Sequence, residues 1–224
     1  MAGILLISIN PGTSGQTFSI KFDLHDLCRK NQIETFNRQI SWFTENEREA
    51  IRLSDNEGDG IAWIRGVEFS SGVIEVDIRG TDELQEFSAG IAFHGSDNDT
   101  LDAIYFCPYD FPYADSDTEF YKVNYISLPF YTRSVLRENL NRSYEKSFNP
   151  LRDSNGWFHV RISVQTDKVS VFTDNIMDPI LSFGKLSHRK TGKIGFWVGD
   201  NSGGDFANLK IITSARRNLK NREP

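Results

Sequence analysis

The sequence has few of the residues that mark cross-linked, membrane-spanning or nucleic-acid-binding proteins. Its 224 residues include only two cysteines, Cys28 and Cys107, which are far apart and allow one disulfide or none. No apolar run approaches the roughly 20 residues of a transmembrane helix, so we expect no membrane association. The 25 basic residues are outnumbered by 31 acidic ones. We expect no nucleic-acid partner, because phosphate contacts need clustered cations. The sequence does not indicate an oligomeric state.

The common catalytic and nucleotide-binding motifs are also missing. The chain has no Gly-x-Ser-x-Gly, no Gly-x-Gly-x-x-Gly and no Walker loop. Neither cysteine lies in a nucleophile motif, and the four histidines are scattered. Serine or cysteine hydrolase chemistry and a zinc site therefore have no support.

The two ends of the chain differ in character. Residues 3–9 form a short apolar run without a basic segment before it, and an Asn-Pro-Gly turn follows, which predicts a strand and not a signal peptide. We expect either a cytoplasmic protein or an exported one without its leader. Residues 214–224 hold four basic and almost no apolar residues, which predicts a flexible tail behind one domain that spans 1–213.

What the chain has in abundance is aromatic residues in alternating patterns. There are 17 Phe, 7 Tyr and 4 Trp but only 2 Met, a bias that favours strands. Apolar and polar residues alternate through 73–79 and 157–164, which predicts half-buried strands. Only 24–31 and 134–144 have a helical pattern, and no βαβ spacing occurs. The predicted fold is all-β, with two packed antiparallel sheets.

Several strand segments carry a resemblance to a known family. They are 60–66, 67–80, 88–95, 102–106, 155–162, 192–199 and 204–211. Their order over about three-quarters of the chain resembles the concanavalin A-like lectin/glucanase superfamily, which includes LamG-like domains and bacterial domains grouped with glycoside hydrolases and 3-keto-disaccharide hydrolases. The resemblance implies a two-sheet jelly-roll sandwich and an association with carbohydrate. One departure is Cys107, where such relatives tend to carry arginine.

The resemblance raises the question of glycosidase activity. Laminarinase-like glucanases of this fold carry Glu-x-Asp-x-x-Glu on one strand, as nucleophile, assistant and acid. Glu75 and Asp77 begin that pattern, but Gly80 stands in the third position. The two carboxylates are therefore either a partial catalytic set or, as we prefer, polar sheet-face residues beside Arg79. Whether the protein is an enzyme stays open.

Three acidic loops suggest a metal ion. Calcium takes six to eight oxygen ligands, and Asp or Asn occur at close spacing in 55–60, 97–102 and 115–119. Asp97, Asp99 and Asp102 are the best candidate ligands. Such loops are more often simple turns, which is the interpretation we favour for each. No cofactor is required, and a structural calcium ion is the one that these loops suggest.

A saccharide is the ligand that the polar strand faces suggest. Lectin grooves combine aromatic rings with hydrogen-bonding side chains. If their strands are neighbours, one concave sheet carries the following candidates besides Glu75 and Asp77: Arg79, His94, Tyr105, Asn124 or Tyr125, Trp157, His159, Arg161 and Trp197. Either histidine is a candidate acid or base.

Trp197 is the strongest candidate for an aromatic platform, because Gly195 and Gly199 leave room beside it. The alternative is that Trp157 and Trp197 are core residues. The sequence thus predicts noncatalytic saccharide binding, with a glycoside hydrolase and a structural or interaction domain as the other hypotheses.

Overall fold

A computed structural model describes residues 4–10, 17–80, 87–109, 120–140, 142–153, 156–174, 176–213 and 219–221. The strands of the first half are β1 (Ile4–Asn10), β2 (Thr17–Phe22), β3 (Ile33–Phe36), β4 (Ile40–Glu45), β5 (Arg48–Leu53), β6 (Gly60–Phe69), β7 (Gly72–Gly80), β8 (Ala89–Gly95) and β9 (Asp102–Tyr109). Those of the second half are β10 (Phe120–Ser127), β11 (Glu145–Phe148), β12 (Phe158–Val164), β13 (Lys168–Thr173), β14 (Leu181–Gly184), β15 (Gly192–Val198), β16 (Gly204–Thr213) and β17 (Leu219–Asn221). The helices are α1 (Leu24–Arg29) and α2 (Arg133–Asn139).

The strands form two antiparallel sheets, which confirms the predicted all-β sandwich. The A sheet has the order β1-β2-β16-β7-β12-β13-β14, with β5 on the β2 side of β16 and β4 beyond it. The B sheet has the order β11-β10-β9-β8-β15-β6-β17, and β3 also pairs with β6. The chain crosses repeatedly between the two sheets, for example from β6 to β7 and from β15 to β16, as expected for a jelly roll.

The main core lies between the two sheets. Alternate residues of β7 and β12 are fully buried, including Ile74, Val76, Val160 and Ile162. They meet the inward side chains of the B sheet, among them Phe106. The alternation in the sequence therefore identified the inner face correctly.

A second apolar cluster lies on the outer face of the B sheet. Leu136 of α2 packs there with Tyr105 and Trp197, and all three are buried. The helix predicted over 134–144 is shorter in the structure: α2 ends at Asn139, and Glu145–Phe148 then pairs with β10. No helix among the described residues is long and apolar enough to cross a membrane.

One short part of the segment 214–224, which the sequence predicts to be a flexible tail, forms a strand in the structure. Leu219–Asn221 form β17 and pair with β6. The remaining basic residues of 214–224 and the loop 115–119 lie outside the described residues.

Candidate functional site

A cleft of about 710 Å³ opens on the outer face of the B sheet. Its floor contains Tyr105, Ile126 and Trp197. One wall is α2, and the other is formed by the turns that precede β6 and follow β15. These elements come from four separate parts of the chain, so only the folded sheet assembles the cleft.

The aromatic floor depends on strand register. Gly90 of β8 pairs with Tyr105 on one side and with Trp197 on the other, so the two rings lie on one face with no side chain between them. Their centroids are 4.8 Å apart at an interplanar angle of 42°. Burial raises the pKa of the Tyr105 phenol, which therefore stays neutral.

The indole N–H of Trp197 is an unused hydrogen-bond donor. Trp197 is only 4% exposed, and its Nε1 is buried without a hydrogen-bond partner among the described residues. Trp63, also on the outer face of the B sheet, instead donates from Nε1 to Asn98 at 2.9 Å. A buried donor without a partner costs about 1–3 kcal/mol, so it is a natural point for a ligand acceptor.

Arg38 holds together the wall that is formed by the turns before β6 and after β15, which we call the acidic wall because it carries Asp59 and Asp200. Its buried guanidinium donates to the carbonyls of Gly58 and Gly199 at 2.6 and 2.7 Å, which ties together the two turns that carry Asp59 and Asp200. Asp200 also accepts a hydrogen bond from the Gly58 amide at 2.6 Å. Burial raises the pKa of Asp59 against the attraction of Arg38, and the charge of Asp200 raises it further. The wall is thus rigid and rich in acceptors.

The helical wall carries cations. Arg133 and Arg137 both line the cleft. Arg137 donates to Glu145 at 2.8 Å, whereas Arg133 is exposed and makes no ion pair within the described part of the chain. Glu138 of α2 also lines the cleft, so this wall contributes two cations and one anion to the lining, whereas the opposite wall contributes Asp59 and Asp200.

A second polar region covers the outer face of the A sheet. His159 and Asp77 pair across β12 and β7, and Nδ1 lies 2.7 Å from Oδ1. Asn208 donates to the other oxygen of Asp77 at 2.7 Å. The hydrogen bond to Asp77 raises the pKa of His159 despite partial burial. Burial alone would raise the pKa of Asp77, but these hydrogen bonds lower it.

Trp157 lies on the same outer face, where the β4–β5 hairpin covers it. Only 2% of the residue is exposed, and the guanidinium carbons of Arg79 and Arg48 stand 4.6 and 5.0 Å from its ring centroid. Its Nε1 donates to Glu45 at 3.3 Å. Trp157 is therefore held inside protein contacts and is not an open platform.

The remaining candidates of this face are also engaged. Glu75 accepts from Lys210 at 3.0 Å. The Arg161 guanidinium stacks on Phe172 at 4.3 Å. Arg79 pairs with the fully buried Asp205 at 2.7 Å. The face resembles a network of structural ion pairs more than an open binding groove.

Three other candidates meet in a buried network at one end of the B sheet. Asp102 accepts from Tyr125 at 2.7 Å and from Ser187 at 2.6 Å, and Arg189 lies 3.2 Å away. His94, which is 1% exposed, lies 3.7 Å from the same carboxylate. Burial alone would raise the pKa of Asp102, but these donors and the charge of Arg189 lower it to about 2. The network holds loops together.

The predicted calcium ligands lie in two different environments. Asp97 accepts the amide of Asp99 at 2.9 Å in an exposed turn, whereas Asp102 is fully buried. Within the described residues, no group of three or more acidic, His or Cys side chains is arranged to hold a metal ion.

The predicted set of candidates therefore does not share one sheet, and that expectation is corrected. Glu75, Asp77, Arg79, Trp157, His159 and Arg161 belong to the A-sheet face, Tyr105, Asn124 and Trp197 to the outer face of the B sheet, and His94 and Tyr125 to the buried network. Alternation is clear in β7 and β12, but a period of two does not say which sheet a strand joins.

Sequence reasoning missed the two walls of the cleft. Arg38, Asp59, Arg133 and Asp200 lie in turns or at the start of a short helix, where no periodic signal exists. The helical pattern around Leu136 was the only available sign that something covers Tyr105 and Trp197.

Comparisons with known proteins bear on the fold. No family model and no curated protein matches the sequence. Among solved structures, the carbohydrate-binding module CBM66 from Bacillus subtilis is similar with a TM-score of 0.54 and 14% identity, over 80% of this chain and 95% of that one. A structure described as a native glycosidic hydrolase has a TM-score of 0.55 and 12% identity, over 92% and 99%.

A third similar structure is the exoplasmic/lumenal domain of VIP36 in a form bound to Ca²⁺ and Man3GlcNAc. Its TM-score is 0.50 at 11% identity, over 82% of this chain and 84% of that one. Structures of this kind thus include calcium-bound and saccharide-bound forms. At such identities the likeness concerns architecture, and the two open antiparallel sheets agree with it. The chain has the concanavalin A-like jelly-roll fold.

Proposed function

We propose that this protein binds a saccharide noncatalytically in the cleft beside α2. The observation that carries the proposal is the indole N–H of Trp197, which lies in the floor of a cleft of about 710 Å³ and has no hydrogen-bond partner among the described residues. A cleft of this size accommodates a few sugar rings.

The lining has the donors and acceptors that sugars use. Asp59 and Asp200 accept hydrogen bonds from sugar hydroxyls, and Trp197 and Ser134 donate to ring or hydroxyl oxygens. Tyr105 and Trp197 are only 3% and 4% exposed, so they offer ring edges and an N–H rather than an open stacking surface. Recognition in this cleft is therefore mainly by hydrogen bonds.

The comparisons support a saccharide as the ligand. A carbohydrate-binding module, a saccharide-bound lumenal domain and a glycosidic hydrolase are all built on this fold. A fold hosts many functions, so the lining of the cleft has to carry the argument.

The contacts of Glu75 and Asp77 favour binding over catalysis. Glu75 is paired with Lys210, and Asp77 is held by His159 and Asn208. Both lie on the A sheet, away from the cleft lining. The hydrogen bonds that lower the pKa of Asp77 make it a poor general acid, because the acid of a glycosidase has a raised pKa.

The test is a glycan array followed by calorimetry on the strongest hit with the variant Trp197→Phe, which keeps an aromatic ring and removes the N–H. Loss of one hydrogen bond lowers the affinity by roughly three- to tenfold. Trp63→Phe is the matched control, because its N–H is bonded to Asn98 and it does not line the cleft. Unchanged affinity of Trp197→Phe, or an equal loss in both variants, contradicts the proposed site.

Incubation of the same glycan with wild-type protein separates binding from hydrolysis. We expect no new reducing ends over a day. Release of product that Glu75→Gln and Asp77→Asn abolish, with both variants folded, would establish the hydrolase hypothesis instead.

A further inference from the structure

We infer that the cleft selects saccharides that carry an anionic substituent, a carboxylate or a sulfate, and that Arg133 binds this substituent. The inference rests on the proposed function and names its ligand class. Two independent observations support it. They are the excess of positive charge around α2 and the indole N–H of Trp197, which has no partner among the described residues.

The cations around α2 are unequally neutralised. Glu145 is shared by Arg137, Arg142 and Lys122, at 2.8, 3.6 and 3.8 Å. One carboxylate thus faces three cations, and the described groups around α2 carry more positive than negative charge even when Glu138 is counted. Arg133, one helical turn before Arg137, makes no ion pair within the residues that the structure describes. The local charge on this wall is positive although the whole chain carries a formal charge of −6.

Arg133 acts on the floor of the cleft as well as lining its wall. Its charge opposes the burial that raises the pKa of Tyr105, and it does the same for Cys107. The guanidinium field is therefore felt where a ligand on the floor would lie. A guanidinium binds carboxylate or sulfate oxygens through two parallel hydrogen bonds, which a neutral hydroxyl cannot match.

The two walls also predict an orientation. Asp59 and Asp200 outnumber Arg38 on the opposite side and repel an anion there, so the charged substituent lies against α2 and the neutral hydroxyls lie toward the aspartates. Trp197 supplies a second donor at the floor. A ligand with an acceptor-rich charged end and a hydroxyl-rich end fits this arrangement.

The test measures binding of three oligosaccharide classes by calorimetry: oligogalacturonate for carboxylates, a chondroitin sulfate oligosaccharide for sulfates, and cellohexaose as the neutral class. We expect wild-type protein to prefer one or both anionic classes, and Arg133→Gln to lose roughly tenfold in affinity for them. The matched control Arg29→Gln removes the same charge from exposed α1, where Arg29 faces Asp26, and leaves affinity unchanged.

The outcomes separate this inference from the proposed function. Equal binding of the neutral class by wild-type protein, with a loss only in Trp197→Phe, rejects anion selection and keeps saccharide binding. Equal losses in Arg133→Gln and Arg29→Gln mean nonspecific attraction and also reject the inference. Failure to bind any glycan rejects both. Arg133 is exposed, so its variant is expected to fold, and circular dichroism checks this.

Discussion

At the residue scale, Asp205 is the most constrained charge in the described part of the A sheet. It is fully buried and accepts hydrogen bonds from Arg52 at 2.7 and 2.8 Å and from Arg79 at 2.7 and 2.9 Å. Asp205→Asn removes the counter-charge of Arg52 and one of the two carboxylates that face Arg79, which also pairs with Glu45 at 2.7 Å. We expect the free energy of unfolding to fall by about 3 kcal/mol, measured by urea denaturation.

Asp26→Asn is the control for that measurement. Asp26 pairs with Lys30 and Arg29 at the surface of α1, where ion pairs are screened. Its loss should cost less than about 1 kcal/mol. Similar effects of the two substitutions would show that the Asp205 pairs contribute no more than surface ones.

The His159–Asp77 pair predicts a pH dependence of stability. The native pKa of His159 is raised above its ordinary value of 6.5 by Asp77. Its contribution is therefore complete below the unfolded-state pKa and is lost as the pH rises through the native pKa. We expect the stability difference between wild type and His159→Asn to be larger at about pH 5.5 than at about pH 8.5.

Urea denaturation of both proteins at the two pH values measures this difference. The native pKa of Asp77 is lowered, so its own contribution is lost only at acid pH and does not interfere. A difference that does not change with pH contradicts the pairing.

Single residues were predicted unevenly by the sequence. The inward positions of β7 and β12 followed from alternation, because one buried face imposes a period of two. Trp157 was placed on the outward face correctly, but its cover comes from Arg48 and Glu45, more than a hundred positions earlier in the chain. No local pattern reports such a contact.

At the element scale, the backbone of β15 leaves no space for a side chain at position 195. A Cβ on Gly195 would lie 2.2 Å from the carbonyl oxygen of Ala62 in β6, at an irregularity of the β15 register. The absence of a side chain at 195 thus serves strand packing and not, as the sequence suggested, room for a ligand. Gly195→Ala should lower the free energy of unfolding by about 3 kcal/mol or more, again by urea denaturation.

Gly184→Ala supplies the comparison. It lies in the edge strand β14, and its added Cβ would have its nearest neighbour, the Asp167 oxygen, at 3.8 Å. We expect a change within about 0.5 kcal/mol. A tolerated Gly195→Ala would mean that β6 and β15 shift apart easily.

Strands with an alternating residue pattern were predicted better than elements that cover the outer face of a sheet. The strands of both sheets were largely identified because their inner faces are buried. The positions of α2 and of the β4–β5 hairpin were not, because each covers an outer face that it meets only after folding. The cleft lies where α2 covers the B sheet. Strand patterns therefore identified Tyr105 and Trp197 as candidates but could not identify Arg133, which lies on α2.

At the scale of the whole molecule, we expect that the acidic loop 97–102 does not make stability depend on calcium. Asp102 is committed to Tyr125, Ser187 and Arg189, and Asp97 is closed in a turn. We expect the same melting temperature with added calcium and with excess chelator, measured by differential scanning fluorimetry. A higher melting temperature with calcium would restore the predicted site at Asp97, Asp99 and Asp102.

The position of β16 has a consequence for the order in which the protein is made and folds. This strand pairs with β7 along one edge and with β5 and β2 along the other. Its partner strands lie much earlier in the chain, as the 153 positions between Arg52 and Asp205 illustrate. During synthesis, the strand edges that pair with β16 therefore stay unpaired until Gly204–Thr213 leaves the ribosome; these edges belong to β2, β5 and β7. Loop closure over such separations is slow. This interval is when we expect the nascent chain to depend most on chaperones.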